Sequence, residues 1–198
     1  MPEIAFIMGK SSSGKDKIFK RIISEEQLNL KTVVMYTTRP MRYGESEGIE
    51  YHFVSGATAD KMEAEGRIIE LRAYNTVYGI WKYFTLDDGQ IDIKKGKYVV
   101  IGTLEAYEKF CDYYGKEHLM PIYIEVDDGI RLTRALEREK KQENPKYAEM
   151  CRRFLADSID FSEENIAKLG INIRYFNNEL LDDCIEQIKK DIIEKLTR

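Results

Sequence analysis

A glycine-rich turn near the amino terminus constrains the possible folds of this 198-residue chain more than any other feature. The apolar run from Ile4 to Met8 stops at Gly9, and beyond Gly14 apolar residues recur at helical spacing as far as about Leu28. The run predicts a buried strand, and the spacing predicts an amphipathic helix. The turn between them reads Gly9-Lys10-Ser11-Ser12-Ser13-Gly14-Lys15-Asp16. The chain therefore opens with a strand, a tight turn and a helix, the unit from which α/β folds are built.

This turn meets the phosphate-loop pattern G-x-x-x-x-G-K-[ST] at every position except the last. Its glycines let the backbone curl so that N–H groups point inward, and the following helix presents its positive end to the same space. The lysine of the pattern reaches the β- and γ-phosphates of a nucleotide. The alternative is a Gly/Ser-rich turn with a chance lysine, and the order of strand, loop and helix argues against it. The predicted nucleotide-phosphate contacts are Gly9, Ser11, Ser12, Ser13, Gly14 and Lys15.

Asp16 is the departure from the pattern, because a Ser or Thr hydroxyl usually ligates Mg²⁺ at that position. An aspartate offers an oxygen ligand at the same place, and its negative charge suits a hard cation. Without a metal, the same charge repels the phosphates. Asp16 is therefore either a stronger Mg²⁺ ligand or a sign of lost catalysis. We favour the metal ligand, since decay would not be expected to spare Lys15 and both glycines.

The composition excludes several function classes. Lys and Arg number 31 against 35 Asp and Glu, and this net charge of −4 argues against a broad basic surface for nucleic acid. No window approaches the ~20 apolar residues of a membrane span, so no membrane partner is expected. Three scattered cysteines and two histidines offer little for a disulfide framework, a His-rich metal centre or a Ser-His-Asp triad. The amino terminus lacks signal-peptide features, and we expect a cytoplasmic protein.

Apolar runs and helical periodicities alternate along the rest of the chain, which predicts an α/β fold with a mainly parallel sheet. Further strands are predicted at 32–36, 51–54, 68–74, 98–101, 122–124 and 171–176. Further helices are predicted at 58–65, 104–114, 131–161 with a break near Asn144-Pro145, and 180–196. The polar insertion from about 36 to 89 interrupts the alternation, and a subdomain that forms the site is expected there.

The stretch from Thr37 to Ser55 places Arg39, Arg42 and Tyr51 in a loop that contains glycine, which suits the clamping of a phosphate dianion. Taken alone, a solvated charged loop is an equal alternative. The stretch closely resembles the signature T-T-R-x-x-R-x-G-E-x-x-G-x-x-Y-x-F-V-S of the guanylate kinase family, and every fixed position matches. Together with the phosphate loop, the chain resembles this family from end to end.

The resemblance implies a P-loop nucleoside-monophosphate kinase fold with a small acceptor-binding subdomain and a helical lid. We expect a single domain over 1–198. Its core is expected at about 1–35, 90–130 and 156–198, its acceptor subdomain at about 36–89 and its lid at about 131–155.

Roles for individual residues follow from the same resemblance. The acceptor phosphate is expected to contact Arg39, Arg42, Tyr51 and Tyr78, and Glu70 to accept hydrogen bonds from the guanine N1–H and 2-amino group. Lys15 and the lid residues Arg134, Arg138 and Arg153 are expected to neutralise the transferring phosphoryl group, and Arg152 competes with Arg153 for this role. Asn177 lies in a sequence that resembles the strand end near the family's adenine site.

Two departures concern the acceptor base and the metal. Where the family has two aspartates after its central strand, this chain has Gly102 and Leu104. Where the family has hydroxyl residues that meet guanine O6, this chain has Met35 and Ile80. Thr37 and Tyr36 lie nearby in the sequence and are the candidate substitutes.

The expected activity is the ATP- and Mg²⁺-dependent phosphorylation of GMP to GDP. One alternative is a kinase of the same fold that acts on another nucleotide or a small phosphorylated acceptor. The other is a catalytically silent guanylate-kinase-like binding module, against which the retained Lys15 argues. The oligomeric state stays open.

Overall fold

The computed structural model describes residues 2–76 and 79–196. The strands are β1 (Ile4–Gly9), β2 (Leu30–Thr32), β3 (Tyr36–Thr37), β4 (His52–Phe53), β5 (Ile68–Thr76), β6 (Gly79–Leu86), β7 (Lys97–Gly102), β8 (Leu119–Glu125) and β9 (Arg174–Phe176). The helices are α1 (Lys15–Ile23), α2 (Gly56–Ala64), α3 (Leu104–Tyr114), α4 (Asp128–Lys140), α5 (Tyr147–Asp160), α6 (Glu163–Lys168) and α7 (Leu181–Leu196). Among the described residues, no helix is both long enough and apolar enough to cross a membrane.

The main sheet has the strand order β2-β7-β1-β8-β9, and its neighbouring strands are parallel. Its central strand β1 is buried along its whole length. Because successive side chains point to opposite faces, Ile4, Phe6 and Met8 enter a core shared with α3, and Ala5 and Ile7 enter a core shared with α1 and α7. Helices cover both faces, which explains why β1 is a continuous apolar run. This arrangement confirms the predicted α/β class.

A second sheet, with the order β4-β3-β6-β5, is built from the chain between β2 and β7. Its main unit is the antiparallel pair of β5 and β6, whose register runs from Ile68 opposite Leu86 to Thr76 opposite Gly79. Helix α2 packs on one face through Ala59, next to Phe84. Because side chains alternate along a strand, Glu70 and Arg72 lie on the face of β5 opposite Leu71, which packs against this core.

The prediction of one strand at 32–36 was wrong in its position. Strand β2 ends at Thr32, and Tyr36 already belongs to the second sheet. Between them the chain leaves one sheet for the other, and the backbone of Val34 bonds to the side chain of Gln90 instead of a neighbouring strand. Strand propensity in this apolar run was real, but its hydrogen bonds go elsewhere.

Other differences concern short or interrupted elements. Strand β6 and helix α6 were not predicted, and α1 ends at Ile23 where the prediction continued to about Leu28. Helix α6 has one buried apolar residue, Ile166, and so gives no periodicity. The residue pattern of β6 is interrupted by Lys82.

Candidate active site

The phosphate loop, Gly9 to Asp16, joins β1 to α1 at the carboxyl edge of the main sheet. Gly14 has a φ of 87°, in the left-handed region that favours glycine. A Cβ on Gly14 would lie 2.5 Å from Nδ2 of Asn177, and a Cβ on Gly9 would lie 2.6 Å from the carbonyl oxygen of Ile124. Both glycines of the pattern are therefore required by the backbone path and by their neighbours.

Two hydroxyl groups of this loop are buried with no hydrogen-bond partner among the residues that the structure describes. They are Oγ of Ser12 and Oγ of Ser13. Buried polar atoms in folded proteins nearly always have a partner, so an unpartnered pair in one loop points to a ligand with oxygen acceptors. The phosphates of a nucleotide fit this requirement.

Lys15 and Asp16 begin α1, with Lys15 Nζ 3.9 Å from Oδ2 of Asp16. The Asp16 side chain is 81% exposed. The described part of the chain contains no group of three or more His, Cys, Asp or Glu side chains that could hold a metal ion. Asp16 is therefore a single accessible carboxylate at the end of the loop, and it fits a cation whose other ligands are phosphate oxygens and water.

Sequence reasoning missed a contact between this loop and α5. The backbone N–H of Ser11 donates to Oδ2 of Asp157 at 2.7 Å, and Nη1 of Arg131 donates to the Ser11 carbonyl at 3.1 Å. Arg131 is 1% exposed, pairs with Asp128, and lies over the ring of Phe154. No local pattern announces these contacts, because Ser11 is 120 residues from Arg131 and 146 from Asp157.

The predicted lid arginines lie in different surroundings. Arg134 donates to the carbonyl of Asn177, whose own side chain donates to the carbonyl of Ser13, so these two residues are linked to the phosphate loop. Arg138 is half exposed and its Nε lies 4.0 Å from Glu139. That partner is on α4 itself, and among the described residues no hydrogen bond or ion pair joins Arg138 to the phosphate loop.

Arg152 and Arg153 share one partner on α5. Both donate to the carboxylate of Glu149, at 2.7 and 2.9 Å from their Nε atoms. The pKa of Glu149 is lowered to about 2, chiefly by the hydrogen bond from Arg152; burial opposes this, and the hydrogen bond from Arg153 adds to the lowering. Arg152 makes two hydrogen bonds to this carboxylate and the predicted Arg153 makes one, so both side chains are directed to Glu149.

Arg39 is a buried cation in the predicted acceptor loop, with 4% of its surface exposed. Its two terminal nitrogens donate to the two carboxylate oxygens of Glu45 at 2.7 and 2.6 Å, and its guanidinium lies over the rings of Tyr51 and Phe53. The hydrogen bonds from Arg39 lower the pKa of Glu45 to about 2. Exposed Arg42 meets the same carboxylate through its backbone N–H. Arg39, Arg42 and Tyr51 are thus brought together, whereas the predicted Tyr78 lies outside the described residues.

Glu70, the predicted base-reading residue, is buried on β5 and already has two partners. Nε and Nη2 of Arg72 donate to its two carboxylate oxygens at 2.9 and 3.2 Å, and the Thr85 hydroxyl donates to Oε1 at 3.0 Å. Sequence reasoning missed Arg72 and Thr85. The available signal was the spacing of two residues between Glu70 and Arg72, which places them on one face of a strand.

The absence of acids at positions 102 and 104 has a structural cause. A Cβ on Gly102 would lie 2.7 Å from Cζ of Phe6, so a carboxylate cannot stand there while Phe6 fills the core. Leu104 is buried in the same core. Neither position can supply the missing acid.

Neither hydroxyl considered as a substitute at guanine O6 is free. Thr37 Oγ1 donates to the carbonyl of Lys82 and accepts from the N–H of Arg39, and the Tyr36 hydroxyl donates to Asp88. Both groups are committed to the protein itself.

Comparison with known proteins agrees with this geometry. The guanylate kinase family profile matches residues 2–83. A guanylate kinase of Zymomonas mobilis is 39% identical over 97% of this chain and 84% of its own length. The human guanylate kinase is 25% identical over 100% of this chain and 95% of its own.

The fold is also that of a solved structure. The crystal structure of guanylate kinase from Anaplasma phagocytophilum aligns with a TM-score of 0.64 at 19% identity, over 100% of this chain and 87% of that one. The phosphate loop, the second sheet and the extended similarity to the Zymomonas relative lead to one conclusion. The chain belongs to the guanylate kinase family.

Proposed function

We propose that this protein transfers the γ-phosphoryl group of ATP to GMP and releases ADP and GDP. The observation that carries the proposal is the presence in one chain of a phosphate loop and a second sheet whose face holds Arg39 and Glu70. Relatives named guanylate kinase over nearly the whole chain support it. Retention of Lys15 and both loop glycines favours the enzyme over a non-catalytic module.

In this reaction a phosphate oxygen of GMP forms a bond to the γ-phosphorus. The bond from that phosphorus to the β–γ bridging oxygen breaks, and ADP leaves with the electron pair. The protein contributes positioning and charge neutralisation, which carry most of the catalysis in phosphoryl transfer. Lys15 and the loop N–H groups hold the donor phosphates, and Glu70 meets the acceptor base. The acceptor phosphate is held by Arg39, Arg42, Tyr51 and Tyr78.

Charge on the transferring group is neutralised by Lys15 with Arg134, Arg138 and Arg153. The last two lie on exposed helix surfaces, at 54% and 60% side-chain exposure, and reach the phosphates when the lid (131–155) closes. The acceptor subdomain (36–89) closes from the other side over the core at 1–35, 90–130 and 156–198. Closure excludes water, which would otherwise hydrolyse ATP.

Mg²⁺ is the proposed cofactor, and Asp16 would hold it. The site fits because Mg²⁺ commonly takes one or two carboxylates together with substrate phosphates, and Asp16 offers one exposed carboxylate on the first turn of α1. When bound, the ion neutralises charge on the β- and γ-phosphate oxygens. A second protein carboxylate from position 102 is excluded by Phe6.

The proposed location is the cytoplasm, where ATP and GMP are available. Cys111, Cys151 and Cys184 are free thiols, which suits a reducing compartment.

The experiment that tests the proposed function compares Lys15→Ala with Lys20→Ala, an exposed lysine on the same helix. We expect Lys15→Ala to lower GMP-dependent ADP formation by ~10²-fold or more, the scale for removal of one electrostatic contact to a transition state. Lys20→Ala should keep the parent rate. Equal thermal unfolding of both variants shows that the fold is intact. Near-parent turnover in Lys15→Ala would contradict the role of the loop.

A further inference from the structure

The Glu70 carboxylate has little capacity left for a ligand. An ionised carboxylate offers about four lone-pair positions. Oε1 accepts from both Thr85 Oγ1 and Arg72 Nη2, and Oε2 accepts from Arg72 Nε. One position on Oε2 therefore remains. Guanine presents two donors on this edge, N1–H and the 2-amino group, and Glu70 cannot accept both while Arg72 stays in place.

Arg72 is held firmly in that place. The side chains of Glu70 and Arg72 are 1% and 11% exposed, so their pair lies in a region of low dielectric. Burial lowers the pKa of Arg72, and the charge and hydrogen bonds of Glu70 more than offset this, so that the net direction is upward. Removing one partner from a buried pair leaves an uncompensated charge, which is costly. The pair therefore stays intact when a nucleotide binds.

Arg72 also has donors to spare. A guanidinium carries five N–H groups. Nε and Nη2 serve Glu70, and Nη2 also lies 3.6 Å from Sδ of Met35. Among residues 2–76 and 79–196, no side chain or carbonyl accepts a hydrogen bond from Nη1. A cation with unused donors thus lies beside Met35, which offers only a weak sulfur acceptor.

The same sheet face connects this pair to the acceptor clamp. Tyr83 stands opposite Arg72 in the register of β5 and β6. Its ring contacts that of Tyr51 at 5.7 Å between centroids, and Tyr51 lies under the guanidinium of Arg39. A nucleotide with its phosphate at Arg39 therefore has a continuous aromatic surface leading to Glu70 and Arg72.

We infer that Arg72 is a specificity-determining residue that donates to the 6-oxo group of the acceptor base, while Glu70 accepts from N1–H alone. The inference rests on the proposed function and names its substrate class as 6-oxopurine nucleoside monophosphates. Guanine and hypoxanthine both present a 6-oxo acceptor and an N1–H donor. Adenine presents a 6-amino donor to Arg72 and an N1 acceptor to Glu70, so it is mismatched at both positions. The 2-amino group, which distinguishes guanine from hypoxanthine, is read weakly.

The test measures kcat/KM for GMP, IMP and AMP in the parent protein, in Arg72→Met and in the control Arg67→Met. Arg67 is an exposed arginine before the same strand, paired with Glu65 at 3.5 Å. In the parent we expect IMP within about tenfold of GMP and AMP ~10²-fold or more below it, as for a site that rejects a mismatched hydrogen-bonding edge. Arg72→Met should lower the GMP-to-AMP ratio by ~10-fold or more, and Arg67→Met should not change it. Because the ratio compares two substrates of one preparation, it is independent of the folded fraction.

If Arg72→Met does not fold, the double variant Glu70→Gln with Arg72→Met removes both charges and is measured in the same way, with the same expected fall. IMP more than tenfold below GMP in the parent, or a GMP-to-AMP ratio that survives loss of Arg72, would overturn the inference and leave the kinase assignment standing. Phosphoryl transfer to none of the three acceptors would overturn the kinase assignment and this inference with it.

Discussion

In the phosphate loop the groups available to a ligand are backbone N–H groups and hydroxyls, whereas on the acceptor side they are charged side chains that already have partners. Ser12 and Ser13 carry buried hydroxyls without partners in the described structure, and Gly14 adopts a left-handed backbone conformation that favours glycine. Arg39 and Arg72, in contrast, are each held by two hydrogen bonds to one glutamate. The proposed donor site is therefore shaped by the path of the chain, and the proposed acceptor site by ion pairs that hold Arg39 and Arg72 in place.

The two sites should therefore respond to different mutations. A loop built from backbone depends on whatever fixes its position, here the long-range contact with Arg131 and Asp157. A site built from ion pairs depends on individual arginine side chains and on the protonation state of the acids that pair with them.

The largest expected effect is that of Arg131→Met on stability. The side chain is 1% exposed and bonds to Asp128, Asp157 and the Ser11 carbonyl, so its loss leaves acids and a loop carbonyl without their partner. We expect the free energy of unfolding in urea to fall by ~3–5 kcal/mol. The control Arg21→Met removes an exposed pair with Asp182 and should cost ~1 kcal/mol or less. Equal losses in the two variants would show that the loop does not depend on its buried anchor.

Arg39→Ala should separate the two sites kinetically. A lost charge-assisted contact costs ~1.5–3 kcal/mol, or ~10- to 150-fold in kcat/KM for GMP. The KM for ATP should stay near its parent value, because in the proposed function the loop, and not Arg39, holds the donor phosphates. Arg42→Ala, measured in parallel, should show the same selectivity. Equal losses toward donor and acceptor would contradict the assignment of this loop as an acceptor clamp.

Asp16→Asn tests the proposed role of Asp16 as a metal ligand. A carboxylate binds Mg²⁺ more strongly than an amide oxygen, so the Mg²⁺ concentration for half-maximal activity should rise several-fold. Asp16→Ser should recover activity only in part, because Gly102 and Leu104 supply no acid. The measurement is a Mg²⁺ titration of turnover at saturating nucleotides. If Asp16→Ser matches the parent at every Mg²⁺ concentration, Asp16 is not the principal metal ligand.

The smallest expected effect is a pH dependence from Glu45. The hydrogen bonds from Arg39 lower the pKa of Glu45 from 4.5 to about 2 in the folded protein. Its stabilisation is therefore fully present above pH 4.5 and is lost as the pH falls toward 2. Unfolding in urea at pH 7, 4 and 3 should show the parent and Glu45→Gln converging as the pH falls. A difference between them that is constant with pH would contradict the ion pair.

The elements that the sequence predicts best are those with local causes. Helix α3 was predicted residue for residue from Leu104 to Tyr114, since its apolar residues recur at helical spacing. The strand–turn–helix at the phosphate loop was predictable because glycine geometry and a buried strand are local properties. Strand β2 was misplaced because the transfer of the chain between sheets at Val34 depends on Gln90, 56 residues away.

The same distinction applies to the site. Glu70 and Arg39 could be selected from the sequence, but their bonds to Arg72 and Glu45 compete with any ligand, and a pattern does not show such competition. The contact of Asp157 with Ser11 is of the same kind, because it arises only when distant helices pack against the loop. Sequence identifies chemical groups, and tertiary packing decides which of them remain available.

The most direct test of the central claim measures ADP and GDP together, by anion-exchange chromatography, after incubation of the protein with ATP and Mg²⁺ in the presence and absence of GMP. We expect ADP formation to depend on GMP, and GDP and ADP to appear in equal amounts. ADP formation that is unchanged without GMP, or ADP without GDP, would contradict it.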